Sequence, residues 1–444
     1  MRDKICLIGC FSLLAVLCVL KSPPSVEARF VLADGKIKIE ASIEHETGLR
    51  LEGENDGEFS ILRSTAQLEP DVTLTNRLSW HAIFRLVKDG WGQYESEEHW
   101  LSKEYWDEDN LDEVVREFYF DADVAKRLHL RFGRQQIVWG ETDGFRMLDL
   151  INPLDGSWKA LGEDFEDQRI PLWSLRATLG VPCLNGVAEF VFIPGWDDPE
   201  DRVNHNAPSS PLFFDPVAWR IYDREDQLAH WGPTEAPAPA AITLPATSVT
   251  TDYPEQGLDQ YQLGFRWSGD YKGFSYTIAD FYSFMYDPIA RYRWGSGSVA
   301  PTPDPASWIN GVPVVTEAVL DYPRTNMIGG SFNWYSNLLN TVFRGEFAYW
   351  DALEWNTGTM VPFDDAVKKK NTLRYMLGTD GNYFLKWLNE TRTFLISTQI
   401  FQTILLNYDD DDEILSVGAY PAKQRHVETI LTLLVSGNYR LDTI

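Results

Sequence analysis

The chain has 444 residues, a formal net charge of −27 and an aromatic content of 14%. Nucleic-acid binding is excluded, because so acidic a chain offers no basic face to phosphates. The acidity either keeps an exported protein soluble or lines a passage for cations, and composition leaves both alternatives open.

The first residues predict export. Residues 1–28 follow the pattern of a secretory signal, in which basic residues precede an apolar run over 5–20 and small residues at 26–28 form a cleavage site. The apolar run is shorter than the roughly 20 residues of a membrane-spanning helix. Three of the four cysteines lie in this segment, so Cys183 would remain in the mature chain with no partner for an internal disulfide.

Apolar and polar residues alternate in many segments after the predicted signal. In residues 173–181, for example, Trp173 and Leu175 alternate with Ser174 and Arg176. The same period recurs in residues 72–86, 261–268, 328–334, 343–349, 373–377 and 394–400. A period of two predicts strands with one apolar and one polar face. The number of such runs predicts about 14 to 16 strands of about 10 residues each.

Two all-β folds place such strands differently. In a transmembrane antiparallel up-and-down β-barrel, the apolar face contacts lipid and the polar face surrounds a water-filled lumen. In a soluble secreted β-sandwich, the apolar face packs on a second sheet, and the many tryptophans would bind glycans. Arginine, glutamate and glutamine on the polar faces favour the barrel over residues 29–444. The long segments near 197–257 and 296–324 would be its external loops, and residues 407–413 a shorter acidic one.

The alternation is interrupted in residues 130–145, at Gly133. A β-bulge at Gly133 would restore the phase, with Arg134 and Gln136 joining Arg131 inside and with Gln135, Ile137 and Trp139 pointing outward. A neighbouring strand carries Tyr119 and Asp121 opposite Arg131 and His129. This contact is either a transverse field across the lumen or ordinary cross-strand pairing. The predicted lumen-lining residues are Glu117, Tyr119, Asp121, Arg131, Arg134, Gln136, Arg176, Arg266, Arg344 and Glu346.

Four short motifs occur in order between residues 128 and 176: GRQQ at 133–136, VWGE at 138–141, INPLD at 151–155 and RIP at 169–171. With them the chain resembles a family of bacterial outer-membrane proteins of undefined role, the domain-of-unknown-function family 1302. The resemblance covers most of the mature chain. It implies a porin-like outer-membrane β-barrel without established catalytic residues, in a family often encoded beside exporters of lipids or other hydrophobic compounds.

The segment after the interruption carries turn-forming residues at 152–156 and is expected to fold inward or over a mouth of the barrel. Its predicted polar contacts are Glu141, Arg146, Asp149, Asn152 and Asp155. The chain ends at residues 439–444 without the terminal aromatic residue usual in such barrels, and relatives tend to be longer. A C-terminal truncation is therefore expected.

The predicted function is an outer-membrane channel or conduit for small or hydrophobic solutes, paired with an inner-membrane exporter. The expected partners are outer-membrane lipid, lipopolysaccharide and the barrel-assembly machinery, and the oligomeric state stays open between monomer and trimer. No enzyme, cofactor or metal site is predicted, because HExxH, CxxC, P-loop, GxGxxG and GxSxG motifs are absent from the sequence. The glycan-binding sandwich remains the alternative.

Overall fold

We describe a computed structural model of the chain. The structure describes residues 26–49, 59–89, 114–142, 145–153, 166, 169–196, 248–255, 257–286, 289–294, 315–357, 367–387, 389, 391–415 and 424–437. The chain divides into two compact units, Met1–Phe120 and Asp121–Ile444. Each unit consists mainly of antiparallel strands that pair with their neighbours in sequence.

The strands of the first unit are β1 (Val26–Leu32), β2 (Ile37–Leu49), β3 (Phe59–Thr75) and β4 (Leu78–Asp89). The boundary between the units falls within β5 (Val115–Ala125). A two-residue turn at 76–77 joins β3 and β4, and Val72 is paired with Trp80 across it. The alternating run 72–86 therefore belongs to a hairpin rather than to one strand.

The strands that continue this sheet in the second unit are β6 (Leu128–Gln135), β7 (Leu172–Val181), β8 (Gly186–Ile193), β10 (Gln262–Tyr271), β11 (Phe274–Phe284), β14 (Arg324–Ser336), β15 (Thr341–Asn356), β16 (Val367–Tyr383), β17 (Phe394–Leu405) and β18 (Val427–Ser436). Among the described residues this sheet has 15 strands, ordered from β1 to β18 with β9, β12 and β13 left out. The all-β, up-and-down antiparallel fold with about 14 to 16 strands is thus confirmed. No helix among the described residues is long and apolar enough to cross a membrane.

A separate three-stranded sheet contains β9 (Ser248–Asp252), β12 (Ile289–Trp294) and β13 (Val315–Asp321). Two of these strands lie within the segments that were predicted as loops near 197–257 and 296–324. Arg291 on β12 connects this sheet to β15. Its guanidinium contacts Asp321 on the neighbouring β13 at 2.6 Å and also contacts Glu354 on β15. Burial lowers the pKa of Arg291, but the hydrogen bonds and charges of the two carboxylates outweigh it and hold the pKa above its usual value.

Short and long connections alternate along the sheet in each unit. The connections 33–36, 76–77, 126–127, 182–185, 272–273 and 337–340 have two to four residues, with 384–393, which has ten, as the exception at their end. The connections 50–58, 90–114, 136–171, 194–261, 285–323, 357–366 and 406–426 have nine residues or more. Because successive antiparallel strands reverse direction, every second connection lies at the same end of a sheet. In the second unit the long connections therefore share one end of the strands and the short turns share the other.

One face of the sheet in the second unit carries exposed apolar side chains. Phe190 and Phe265 are paired, and the same row continues through Asp280 to Ile328. Phe190 is 52% exposed and Ile328 is 50% exposed. Asp280 is the exception in this row, as a carboxylate between apolar neighbours. The opposite face carries the polar and charged residues of the same strands.

The predicted β-bulge at Gly133 is wrong. β6 and β7 pair without a register shift from Leu128 with Leu179 to Gln135 with Leu172. Gly133 has a φ of 141°, a backbone conformation that glycine adopts easily, and the strand ends two residues later. The predicted outward placement of Gln135, Ile137 and Trp139 is also wrong. All three are fully buried. Gln135 is still part of β6 and pairs with the buried Leu172, whereas Ile137 and Trp139 follow the end of the strand, where the chain leaves the sheet and turns toward its polar face.

Candidate functional site

The β6–β7 connection begins with residues 136–153, which we call the inward segment; its residues 143–144 lie outside the described part. Its side chains Ile137, Trp139, Leu148 and Ile151 belong to one buried cluster. The same cluster contains residues from the strands of the second unit's sheet, which we call the wall. They lie on β8, β11, β14, β15 and β17 and include Val191, Phe281, Met327, Ala348 and Leu405. The inward segment therefore packs across the polar face of the sheet of the second unit.

Trp139 is anchored by a buried carboxylate on β8. The indole Nε1 of Trp139 donates a 2.6 Å hydrogen bond to Oε1 of Glu189. Oε2 of Glu189 accepts hydrogen bonds from Arg176 at 2.5 Å and from Arg266 at 3.4 Å. The Arg266 guanidinium also lies 5.6 Å from the centre of the Trp139 ring and donates to the carbonyl of Val138. One glutamate thus joins three strands of the wall to the inward segment.

A second wall carboxylate, Glu346 on β15, binds the inward segment at two points. Its Oε1 accepts a hydrogen bond from the backbone N–H of Glu141, and its Oε2 accepts one from the backbone N–H of Leu148 at 3.3 Å. Glu346 is only 2% exposed. Because a buried carboxylate needs hydrogen bonds to compensate for lost hydration, these two backbone groups and Glu346 stabilise one another.

Glu141 is also held from the wall. Arg344 on β15 donates a 2.7 Å hydrogen bond to the carbonyl of Glu141 and forms an ion pair with Asp380 on β16. Asn333 on β14 lies 3.4 Å from the carboxylate of Glu141. The side chain of Glu141 remains exposed, so it presents a negative charge at the surface of the inward segment.

Asn152 fixes the two ends of the inward segment to each other. Its Oδ1 accepts from the backbone N–H of Ile137 at 2.7 Å, and its Nδ2 donates to the carbonyls of Gln135 and Ile170 at 3.3 and 2.8 Å. The side chain is completely buried. Asn152, the asparagine of the INPLD motif, therefore has a structural role, in which its amide satisfies three backbone groups.

The remaining charges of this region are compensated locally. Arg169 forms an ion pair with Asp149 at 2.7 Å, and Arg146 lies 3.6 Å from the same carboxylate. Arg146 also donates to the carbonyl of Asn152 at 2.6 Å. Asp155, the last predicted residue of the inward segment, lies outside the described residues.

Two glycines of the wall create the space that the inward segment occupies. A Cβ atom on Gly264 would lie 2.7 Å from the ring of Trp139, and one on Gly329 would lie 2.4 Å from Leu148. Both distances are far below van der Waals contact, so a larger residue at either position would displace the inward segment or the wall.

The neighbouring strands β5 and β6 carry acidic and basic side chains, respectively, that contact each other. Arg131 binds Asp121 through two hydrogen bonds of 2.8 and 3.0 Å, and His129 contacts both Asp121 and Asp123. Arg131 is paired across the sheet with Arg176. The acidic side chains therefore lie close enough to neutralise much of the positive charge on this face.

The other predicted lumen-lining residues lie in different parts of the structure. In the first unit, Glu117 and Tyr119 are buried, and the ring of Tyr119 stacks on His81. Arg134 is paired with the exposed Trp173 and donates to the carbonyl of Pro171, so its predicted position beside Arg131 is wrong. Gln136 lies outside the strands and donates to the carbonyl of Glu166. Arg176, Arg266, Arg344 and Glu346 all contact the inward segment or its anchors.

Sequence reasoning missed several residues that shape this site. Glu189 is the most important, and its signal in the sequence is one acidic residue inside the otherwise apolar strand GVAEFVFI. Gly264, Gly329 and Asn333 were missed because their roles depend on which strands the inward segment crosses. Alternation within each strand gives the face of a residue but not its contacts with a distant segment.

A cavity lies beside the inward segment on the same face of the sheet, with a volume of about 610 Å³. Glu141 and Arg266 line one part of it, and the turn between β7 and β8 lines another. The cavity therefore extends from the inward segment toward the end of the sheet where the connections are short.

The model of the family described as "Protein of unknown function (DUF1302)" matches residues 11–428. The chain belongs to this family. The match includes all four motifs and the whole inward segment, and the family description assigns no function. No curated protein matches the chain.

Solved structures show only a distant likeness. Salmonella typhi OmpF in complex with daunomycin is 8% identical, with 93% of this chain and 100% of that chain covered and a TM-score of 0.36. An anion-selective porin from Comamonas acidovorans is 10% identical, with coverages of 83% and 79% and a TM-score of 0.34. The FrpB iron transporter from Neisseria meningitidis is 9% identical, with coverages of 85% and 51% and a TM-score of 0.34. TM-scores below 0.5 support no functional assignment.

Proposed function

We propose that the chain forms an outer-membrane β-barrel channel in which the inward segment narrows a water-filled lumen. The observation that carries this proposal is the position of the inward segment on the polar face of the sheet, where Glu189 and Glu346 hold it. A segment fixed there reduces the open cross-section between the polar faces of the strands. Small polar solutes and ions would pass beside it.

The two faces of the sheet support a membrane location. Exposed aromatic and aliphatic side chains such as Trp173, Phe190 and Ile328 occupy the face opposite the inward segment. A soluble sandwich would cover such a face with a second sheet, whereas an outer-membrane barrel exposes it to lipid. The alternation of short turns and longer connections is also typical of outer-membrane barrels.

We also propose the kind of solute that passes through the channel and the partners of the protein. The polar face favours water-soluble solutes over hydrophobic ones, because a hydrophobic solute would displace water from the charged groups without replacing its hydrogen bonds. Lipopolysaccharide and the barrel-assembly machinery are proposed partners through the membrane location. Pairing with an inner-membrane exporter rests only on what the family resemblance implies.

Planar-bilayer recording tests the channel. The purified protein should give stepwise ion conductance, and its unboiled form should migrate differently from the heated form in a gel, as a folded barrel does. Replacing Trp139→Ala should enlarge the steps, because it removes the anchor to Glu189 and leaves a void under the inward segment. Glu428→Gln on β18, which makes none of the hydrogen bonds to the inward segment described above, is the matched control and should leave the steps unchanged. Protein that shows the gel shift but no conductance above the bare bilayer would refute the channel.

A further inference from the structure

The cavity beside the inward segment contains a row of hydroxyl groups. Ser268 on β10 is paired with Thr277 on β11, which is paired with Ser331 on β14. All three line the cavity. Adjacent strands are about 4.8 Å apart, so the three side chains form a polar row across three strands. The hydroxyls of Thr277 and Ser331 lie 2.7 Å apart.

The charged groups near this row balance one another. Glu189 contacts Arg176 and Arg266, and Glu141 is the second carboxylate of the group. Two carboxylates thus accompany two guanidinium groups. A charged solute would disturb this balance, whereas a neutral solute would not. The site therefore selects by hydrogen bonding rather than by net charge.

The cavity offers both acceptors and donors at its surface. The exposed carboxylate of Glu141 accepts hydrogen bonds only, Arg266 donates only, and the hydroxyl groups of Ser268 and Ser331 do both. A ligand with several hydroxyl groups can satisfy all of these at once. The volume of about 610 Å³ falls in the range of small-molecule sites and is large enough for a mono- or disaccharide.

We propose that this cavity is a binding site for a neutral polyhydroxylated solute, of the sugar or polyol class. Its hydroxyl groups bind along the row of Ser268, Thr277 and Ser331, between the carboxylate of Glu141 and the guanidinium of Arg266. The inference rests on the proposed function in that the polar face must be open to solvent. It adds a solute class that the inward segment itself does not specify.

Calorimetric titration of the detergent-purified full chain with glucose tests the binding site. Glucose should bind, and its positively charged analogue glucosamine and negatively charged analogue gluconate should each bind several-fold more weakly. Thr277→Val and Ser268→Ala should each weaken glucose binding about three- to tenfold, the loss expected for one hydrogen bond. Glu141→Gln should weaken it by about tenfold, because hydrogen bonds to charged groups are stronger.

Thr403→Val on β17 is the matched control, because this threonine does not line the cavity and its replacement should leave glucose binding unchanged. The gel shift on heating confirms that each variant is folded. Folded wild-type protein that does not bind glucose would overturn the proposal, as would equal losses in Thr277→Val and Thr403→Val or stronger binding of either charged analogue.

Bilayer conductance of the same preparation separates this inference from the channel. Conductance without glucose binding refutes the binding site and leaves the channel standing. Glucose binding without conductance refutes the channel and supports a binding site on an accessible polar face. Reduced single-channel current in the presence of glucose, lost in Thr277→Val but kept in Thr403→Val, supports both.

Discussion

Replacing Glu346→Gln should release the inward segment from the wall. The carboxylate accepts one hydrogen bond from the backbone N–H of Glu141 and another from that of Leu148. The amide of glutamine keeps one acceptor oxygen but turns an NH2 group toward the other backbone N–H. One buried donor then loses its partner, which costs about 1–3 kcal/mol.

This cost applies only while the inward segment lies on the wall, which we call the docked state. Once the segment leaves the wall, water forms hydrogen bonds with both backbone groups. A change of about 1–3 kcal/mol shifts the ratio of released to docked segment by about 5- to 150-fold. Arg146 offers a direct measure, since its side chain is only 8% exposed in the docked segment. Trypsin can cleave after Arg146 only in the released population, so the cleavage rate follows that population.

The assay compares tryptic cleavage after Arg146 in wild-type, Glu346→Gln and Glu428→Gln proteins reconstituted in the same lipid. Glu346→Gln should be cleaved about 5- to 150-fold faster, and Glu428→Gln should match the wild type. Equal cleavage rates in all three folded proteins would show that the carboxylate of Glu346 does not hold the inward segment.

Further substitutions test the packing, the hydrogen bonds and the lipid-facing side of the same account. Gly264→Ala should destabilise the docked segment by about 1–3 kcal/mol, because the added methyl group overpacks against Trp139, and cleavage after Arg146 should become faster. Gly180→Ala should leave the cleavage rate unchanged, because its added methyl group would lie 3.9 Å from the nearest atom, the carbonyl oxygen of Arg127. Asn152→Ala should lower the temperature of the gel shift and speed the same cleavage, because it leaves one backbone N–H and two carbonyls without their present partner; an unchanged rate would mean that the contacts of Asn152 do not hold the segment. Asp280→Val should raise the unfolding free energy in lipid vesicles by up to about 2 kcal/mol, since a carboxylate on a lipid-facing row is costly; a destabilised variant would argue for a polar environment there. Arg291→Lys should speed amide hydrogen exchange in β12 and β13 without altering conductance, because lysine cannot contact Asp321 and Glu354 with one planar group; unchanged exchange would remove Arg291 as the anchor of that sheet.

The strand pattern was predictable because it depends on local alternation. Trp173 and Leu175 face one way and Ser174 and Arg176 the other, as the period of two requires. The side of the sheet on which the residues after Gly133 lie was not predictable in the same way. The sequence continues with bulky residues at 137 and 139, which resemble an outward strand face, but they become buried because the chain folds onto a distant part of the wall.

The candidate site was predicted only in part for the same reason. Turn-forming residues at 152–156 indicated that the connection would not continue as a strand, and Glu141, Arg146 and Asp149 were recognised as its polar residues. The residues of the sheet that meet this segment, Glu189 at Trp139, Asn333 at Glu141 and Gly329 at Leu148, are separated from it by many residues in sequence. Such contacts arise from the three-dimensional path of the inward segment, and a single sequence carries no periodic signal for them.

Spin labels on successive strands test the central claim most directly, with the protein in lipid vesicles and Cys183 replaced by serine. Labels at the outward positions Phe265, Ile278 and Ile328 should be relaxed strongly by oxygen and weakly by a water-soluble nickel complex, because they lie among acyl chains. Labels at the inward positions Ser268, Thr277 and Ser331 should show the reverse order. Equal nickel accessibility on both sets of positions would contradict a sheet whose apolar face contacts lipid and whose polar face encloses water.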